Sequence, residues 1–415
     1  MAQLTDDCFA FGGKLLAIEE AVARIAERFP VIAGTEIVPL AEADGRVAAA
    51  DVFAEHDLPP FANSAVDGYA VRHADLADGT ETVLPVTGRL PAGRAAEDDW
   101  PGGAIRIFTG APMPPGADTV FMQEDVRRDG DHVALPPGLK PGANARPAGE
   151  DMARGALAIP AGQRLRPQDL ALAAATGHAR LTVRRRLRVA LFSTGDELAE
   201  PGAALRPGSI HDSNRVLLAS LLHRLGCAVS DLGILRDDPA TLPARLAAAA
   251  EGHDLILTSG GVSTGEEDHV KAAVEAIGRL VLWRLAVKPG RPVAAGLVAG
   301  TPFLGLPGNP VAVYVTLLFV VRPLLAALGG ARYAPPLAVP VRSGFPYKKK
   351  QSRREFVRVI LSRDADGLTA TKFPRDGAGV LTSLTGSDGL VELPDDTTGV
   401  APGDLLAFYP HALLW

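Results

Sequence analysis

The sequence predicts a multidomain protein of mixed class, an α/β unit joined to separate β units, and three observations carry that expectation. First, 415 residues exceed what one hydrophobic core usually organises. Second, residues 188–287 alternate short β-prone runs with helical text, the pattern of repeated βαβ units around a mostly parallel sheet. Third, residues 69–141 and 335–415 alternate at short period between Gly and Pro breaks, which suits small β domains.

The elements follow in chain order. Leu15, Ile18, Val22, Ile25 and Phe29 recur at three and four, predicting an amphipathic helix that Pro30 closes. The loop Leu58-Pro59-Pro60-Phe61-Ala62-Asn63-Ser64-Ala65-Val66-Asp67-Gly68-Tyr69-Ala70 then opens the first β stretch. After Gly149-Glu150-Asp151 the text turns Ala-rich again, so that β domain looks inserted into an N-terminal one. The expected division is 1–55 with 146–185, an inserted 56–145, an α/β domain 186–334 and a terminal β barrel or sandwich 335–415. Within the α/β domain, strands are expected at 189–192, 228–235, 254–257 and 280–287, with helices at 214–225, 240–250 and 268–277. A last helix should run from near Pro310 to Gly329-Gly330. The apolar run 311–321 is too short to span a bilayer and meets Arg322-Pro323, so it reads as a buried helix.

Composition excludes several classes. A formal charge of −6 argues against non-specific nucleic-acid binding, which needs a basic face. Cys8 and Cys227, the only cysteines, support neither a disulfide framework nor a thiolate zinc site. The N-terminus lacks the layout of a signal peptide, no membrane association is expected, and a cytoplasmic location is the default.

The richest segment is Leu255-Ile256-Leu257-Thr258-Ser259-Gly260-Gly261-Val262-Ser263-Thr264-Gly265-Glu266-Glu267-Asp268. An apolar strand empties into paired glycines, hydroxyls and acids, which is how an α/β sheet presents backbone N–H groups to a phosphorylated ligand. A plain turn at φ > 0 reads the same way in isolation. Lys288-Pro289-Gly290-Arg291-Pro292 and Leu306-Pro307-Gly308-Asn309-Pro310 follow, the first fixing two cations at a set separation that suits a compact oxyanion. Glu197, Asp237, Asp238 and Asp268 should share one end of the sheet. Either they are solvated helix-start acids, or they hold a divalent ion, for which oxygen ligands favour Mg²⁺. Arg353-Arg354-Glu355-Phe356 and Thr382-Ser383 offer further donors. His56, His178, His211 and His269 show no metal spacing.

The residues closely resemble the molybdopterin molybdenumtransferases, the family of bacterial MoeA and the gephyrin E-domain. The resemblance rests on Asn63-Ser64-Ala65-Val66-Asp67-Gly68-Tyr69-Ala70, Arg106-Ile107-Phe108-Thr109-Gly110-Ala111, Gly149-Glu150-Asp151, Phe192-Ser193-Thr194-Gly195-Asp196-Glu197-Leu198, Ser259-Gly260-Gly261-Val262-Ser263, Lys288-Pro289-Gly290 and Leu306-Pro307-Gly308-Asn309-Pro310, in family order over nearly the whole chain. It implies an elongated N-terminal domain, a three-layer MogA-like α/β domain and a C-terminal β barrel. It also implies a reaction: adenylylated molybdopterin and molybdate, with Mg²⁺, become molybdenum cofactor and AMP. A homodimer with a composite active site is implied, as is transient contact with molybdopterin adenylyltransferase and with cofactor acceptor proteins.

Asp67, Thr109, Arg146, Glu197, Asp237, Asp268, Lys288, Pro307 and Pro310 fall on positions the family uses around its active site. Asp67, Glu197, Asp237, Asp268 and Lys288 are the catalytic candidates, with Glu197, Asp237 and Asp268 as metal ligands. Ser259, Gly260, Gly261 and Ser263 would hold the pterin phosphates, and Arg291, Arg353 and Ser383 resemble molybdate-side groups that with Lys288 would form a cage. Three residues depart from the family pattern: Arg284 for a frequent lysine, His269 for an aromatic such as tyrosine, and Ser352 for a glycine. Two other classes compete, a non-catalytic scaffold, which would call for a long interaction linker, and a different nucleotide-dependent transferase using the same anion site.

Overall fold

Alternating side chains along two adjacent strands set the central layer. In Arg188–Ser193, Val189 and Leu191 join one apolar cluster while Ala190 and Phe192 join another, and Leu255–Ser259 divides the same way. A strand apolar on both faces must be covered on both, so helices lie on each side and the unit has three layers. Leu218, Leu221 and Leu222 of Ser213–Arg224 and the apolar length of Pro310–Gly329 cover one face. Leu242 and Leu246 of Leu242–Gly252, with Val270 and Val274 of His269–Ile277, cover the other.

The computed structural model describes residues 15–95, 100–236, 238–261, 269–365 and 367–414. The central sheet has six strands in the order Ala228–Ile234, Arg188–Ser193, Leu255–Ser259, Thr301–Leu306, Pro292–Val298 and Gly278–Arg284. The first four are parallel, and the last two add antiparallel pairs, so the sheet is mostly parallel as expected. The expected strand 280–287 is in fact two elements. Gly278–Arg284 belongs to the central sheet, and Val287–Lys288 leaves it to pair in parallel with Arg354 and Glu355 of the terminal domain.

The last helix runs from Pro310 to Gly329, as expected, and so passes through Pro323. Pro323 lacks an N–H and its ring crowds the carbonyl four residues back, and the wider π turn over Leu317–Val321 relieves both. The resulting helix has a mean hydropathy of 2.2, high enough for a membrane span by composition, but 89% of the scored window is buried. Ile18, Ala21 and Ile25 of the N-terminal helix Ile18–Arg28 join its apolar cluster.

Thr35–Pro39 pairs with Arg180–Arg184 and Val52–Phe53 with Leu157–Ile159, so segments distant in sequence close on each other. Between them in the chain runs a six-stranded sheet ordered Thr119–Met122, Gly68–Val71, Ala104–Ile107, Thr82–Leu90, His132–Leu135 and Arg127–Asp129. In the C-terminal region, Arg354–Asp364 pairs with both Gly367–Lys372 and Gly389–Leu393. With Val339–Ser343 and Leu405–Pro410 these strands close a barrel around Val357, Val359, Ala370 and Val391. The short helix Thr382–Thr385 interrupts a stretch that shows no helical period.

Phe356, on the outer face of the barrel strand, stacks on Phe319 with centroids 4.3 Å apart and planes at 18°. Both rings are buried. Phe356→Ala is expected to cost about 3–5 kcal/mol, the usual range for deleting a buried aromatic ring. Chemical denaturation read by circular dichroism checks it.

Candidate active site

Parallel strands in register end together. Ser193 pairs with Ser259, and Ser259 with Leu306, so three loops open on one edge of the sheet, where α/β proteins place their ligands. Glycine is required here by geometry. Gly260 and Gly261 have φ of 86° and 65°, and a Cβ on them would approach the Thr194 carbonyl oxygen to 2.6 Å and Val270 Cγ2 to 2.6 Å.

The loops are tied to one another. Thr194 N–H donates to the Ser259 carbonyl at 3.3 Å and Gly260 N–H to the Leu306 carbonyl at 3.1 Å, so Gly260's own amide is engaged inside the protein. Asn214 Nδ2, at the start of helix Ser213–Arg224, donates to Ser259 Oγ at 2.9 Å and to the Gly308 carbonyl at 2.6 Å. Asn214 was not singled out by the sequence, where it looks like an ordinary helix-start polar residue. The hydroxyls of Ser193, Thr194 and Thr258 and Asn214 Oδ1 are buried here without a hydrogen-bond partner among the described residues. Unsatisfied polar atoms at a strand-end cleft mark a place built for something other than packing.

Of the proposed metal ligands, Glu197 is exposed, folded over Gly195 so that a Cβ there would meet Glu197 Oε2 at 2.6 Å. Asp237, Ser263 and Asp268 lie outside the described residues. Among the described residues, no group of three His, Cys, Asp or Glu side chains could hold a metal. Glu197 offers an oxygen donor with no ion pair among those residues, which fits one ligand of a hard cation. Asp238, by contrast, accepts from Ala240 N–H at 3.0 Å and Thr241 Oγ1 at 2.8 Å and serves the start of the next helix.

A second cluster gathers around Glu355, which is 1% exposed. Lys288 Nζ lies 3.1 Å from Glu355 Oε2, Tyr347 Oη donates to the same oxygen at 2.9 Å, and Arg353 Nη2 lies 2.6 Å from Oε1. Lys288 is placed by its own strand pairing beside Glu355 and by Gly290 behind it, whose φ of 112° brings a hypothetical Cβ within 2.7 Å of Thr316 Oγ1. Burial opposes ionisation of both partners, yet the mutual attraction wins. The Glu355 carboxyl, despite burial, is held below the usual range by Arg353, Lys288 and Tyr347, and Lys288 is raised by Glu355. Arg291 is exposed and makes no ion pair among the described residues, while Lys288 and Arg353 both pair with the one carboxylate.

Ser383 does not join this cluster. It is fully buried, accepts from Arg358 Nε at 3.0 Å and donates to the Val380 carbonyl at 2.6 Å. The reason is strand alternation: Arg358, three residues from Glu355, faces the opposite side of the strand. Ser383's segment packs instead near Asn309-Pro310, where Val311 N–H donates to the Ala378 carbonyl at 3.0 Å. Pro310 begins the long buried helix, and Pro307 precedes the carbonyl that Asn214 holds.

The third cluster lies on the N-terminal sheet. Thr109 gives its N–H and Oγ1 to Asp67 Oδ1 at 2.8 and 2.7 Å, which together with Arg106 keeps the carboxyl below its ordinary pKa. Arg146 sits on a short strand paired with Asn63, upstream of Asp67. Arg106 lies against Tyr69 and Phe108, 5.2 and 4.8 Å from their centroids, a flat cationic surface that the sequence did not single out. Among the described residues, no hydrogen bond or ion pair links Asp67, Thr109 or Arg146 to the loops of the central sheet.

Of the departing residues, Ser352 adopts φ of 65°, the left-handed conformation that glycine favours, while Arg284 is exposed at the end of its strand. His269 starts the helix His269–Ile277.

Fold and clusters define a multidomain α/β protein with a polar cleft at the carboxyl edge of its sheet. Models for the MoeA N-terminal region (domain I and II), the probable molybdopterin binding domain and the MoeA C-terminal region (domain IV) match residues 16–177, 190–327 and 340–411. The chain is 36% identical to a molybdopterin molybdenumtransferase of Haemophilus influenzae, over 95% of this chain and 98% of that protein. It is 39% identical to molybdopterin molybdenumtransferase 2 of Mycobacterium tuberculosis, over 89% and 93%. A crystal structure of the molybdopterin biosynthesis moeA protein of Pyrococcus horikoshii OT3 superposes with a TM-score of 0.82 at 31% identity, covering 96% of this chain and 100% of that one. The chain belongs to the molybdopterin molybdenumtransferase family and is a transferase of the MoeA type.

Two measurements test the local geometry. Ser352→Gly is expected to stabilise the protein by about 0.5–1 kcal/mol by removing left-handed strain. The gain would be read as a shift in denaturation midpoint at unchanged slope. Glu355 has a depressed folded pKa, so its contribution is present above about pH 4.3, its unfolded value, and is lost as pH falls through the folded one. Glu355→Gln should therefore flatten the acid limb of the stability profile, and an unchanged limb would contradict this placement.

Proposed function

We propose that the protein inserts molybdate into adenylylated molybdopterin with Mg²⁺-dependent release of AMP, giving molybdenum cofactor. The observation that carries this reading is the pairing of two sites: a cleft with unsatisfied hydroxyls at the strand ends, and a neighbouring cationic cluster balanced by one buried carboxylate. Phosphates would lie across Ser259, Gly261 and Ser263, with Asn214 holding the loops at a fixed separation. Molybdate is a small tetrahedral dianion, and Lys288, Arg291 and Arg353 would neutralise and orient it. Glu355 keeps Lys288 and Arg353 in place before the substrate arrives and favours the charged form of Lys288.

Mg²⁺, when bound, would neutralise charge on the phosphoanhydride as AMP departs. Glu197, Asp237 and Asp268 are the residues that would hold it, and the Glu197 carboxylate lies over Gly195. In this reading the protein works as a homodimer in which Asp67 and Thr109, on the inserted domain 56–145, and Arg146, at its boundary with the N-terminal domain, close the cleft of the other subunit. That no hydrogen bond or ion pair among the described residues joins them to the central-sheet loops within one chain supports it. Arg106, stacked on Tyr69 and Phe108, would add a platform for a flat ring system. Domain boundaries at 55, 145, 185 and 334 follow from the same reading.

Incubation of the pure protein with adenylylated molybdopterin, Mg²⁺ and molybdate should release AMP in a molybdate-stimulated, EDTA-sensitive manner. Absence of that stimulation refutes the assignment. Asp268→Asn is expected to abolish AMP release. Lys288→Ala removes one charge-assisted contact of about 1.5–3 kcal/mol and should raise the half-saturating molybdate concentration roughly ten- to hundredfold. Equal effects of both substitutions on molybdate dependence would contradict this division of labour.

A further inference from the structure

At the opposite edge of the central sheet, where Arg188–Ser193 and Ala228–Ile234 begin, lies a cavity of about 40 Å³. Its wall includes Arg46, Arg164, Arg184, Arg185, Arg186 and Cys227. A water needs roughly 10–15 Å³ measured this way, so the space holds about three waters or one small tetrahedral ion. The arginines come from two places in the chain. Arg46 and Arg164 belong to the N-terminal region, and Arg184 to Arg186 form the link from strand Arg180–Arg184 into the central sheet.

Their charges are not balanced. Arg46 pairs with Glu36, and Arg185 with Asp254 at 2.8 Å. Arg164, Arg184 and Arg186 donate only to backbone carbonyls among the described residues, of Gly45 at 2.7 Å, Ala33 at 3.3 Å and Gly226 at 3.4 Å. Arg184 Nε is buried with no acceptor among the described residues. The side chains are close together, since a Cβ placed on Gly226 would lie 3.2 Å from Arg164 Nη1 and 3.8 Å from Arg186 Nη1. Burial, and the nearby Arg322 and Arg186 cations, press the Arg164 pKa below its usual range. Cys227 supplies no counter-charge, because burial pushes its thiol up to about 12.

We propose that this cavity is a second anion site, for a small tetrahedral oxyanion of the phosphate class, held by Arg164, Arg184 and Arg186 where the N-terminal region meets the central sheet. Clustered guanidinium groups around a phosphate-sized space, one with a buried N–H that finds no acceptor among the described residues, have the donor geometry for such an ion, and Arg164, Arg184 and Arg186 form no ion pair among those residues. The site is separate from the cleft at the carboxyl ends of the strands, and an ion bound there would clamp the N-terminal region to the α/β unit.

The test is isothermal titration of the full-length protein with inorganic phosphate, at ionic strength held constant with chloride. Saturable binding is expected in the unmodified protein and in Lys288→Ala, whose substitution lies at the other edge of the sheet. Affinity should fall at least tenfold in Arg164→Met/Arg186→Gln, and the variant's melting temperature without phosphate should equal or exceed that of the parent because repulsion is relieved. Should the double variant fail to fold, Arg186→Gln alone, at an exposed position, is expected to weaken phosphate binding severalfold. No saturable binding in the parent protein, or binding lost in Lys288→Ala and retained in the arginine variant, overturns the proposal.

Discussion

The parallel register that ends Arg188–Ser193, Leu255–Ser259 and Thr301–Leu306 at one level is the constraint on which the site depends. It fixes three loop origins on a rigid, two-face-covered sheet, so the loops need few further bonds to hold their separation. Asn214 supplies the tie, joining Ser259 to the Gly308 carbonyl from the first turn of a helix packed beneath them. The same register determines the opposite edge, where strand starts bring a different part of the chain and a different set of charges together.

Charge is organised around one buried carboxylate. Glu355 could not remain ionised at 1% exposure without Lys288, Arg353 and Tyr347. In turn, the two cations are held by an anion between them. Removing one partner from such a set generally costs more than the set contributes, because the remainder is buried and unpaired. That asymmetry makes the cluster a positioning device as much as a source of stability.

The loops were legible in the sequence because their demands are local. Gly260, Gly261 and Gly290 adopt φ values open to glycine, and the prolines of the Lys288 and Leu306 loops restrict φ at single residues. Four of the central strands and their helices were legible too, since apolar runs and helical period report burial directly. Misreadings arose where a tertiary partner decided. The strand expected at 280–287 divides because the barrel captures Val287–Lys288.

By itself, the sequence determined the α/β and β classes, the glycine- and proline-bearing loops and the family, all of which depend on residue identity and near-neighbour spacing. Only the tertiary structure decided that Glu355 is the hub for Lys288 and Arg353, that Ser383 answers Arg358 on the other face, and that Asn214 ties the cleft. It also brought Arg164 beside Arg186. These are pairings across long sequence separations, set by strand register and by which face of a strand a side chain occupies, and no local pattern records them.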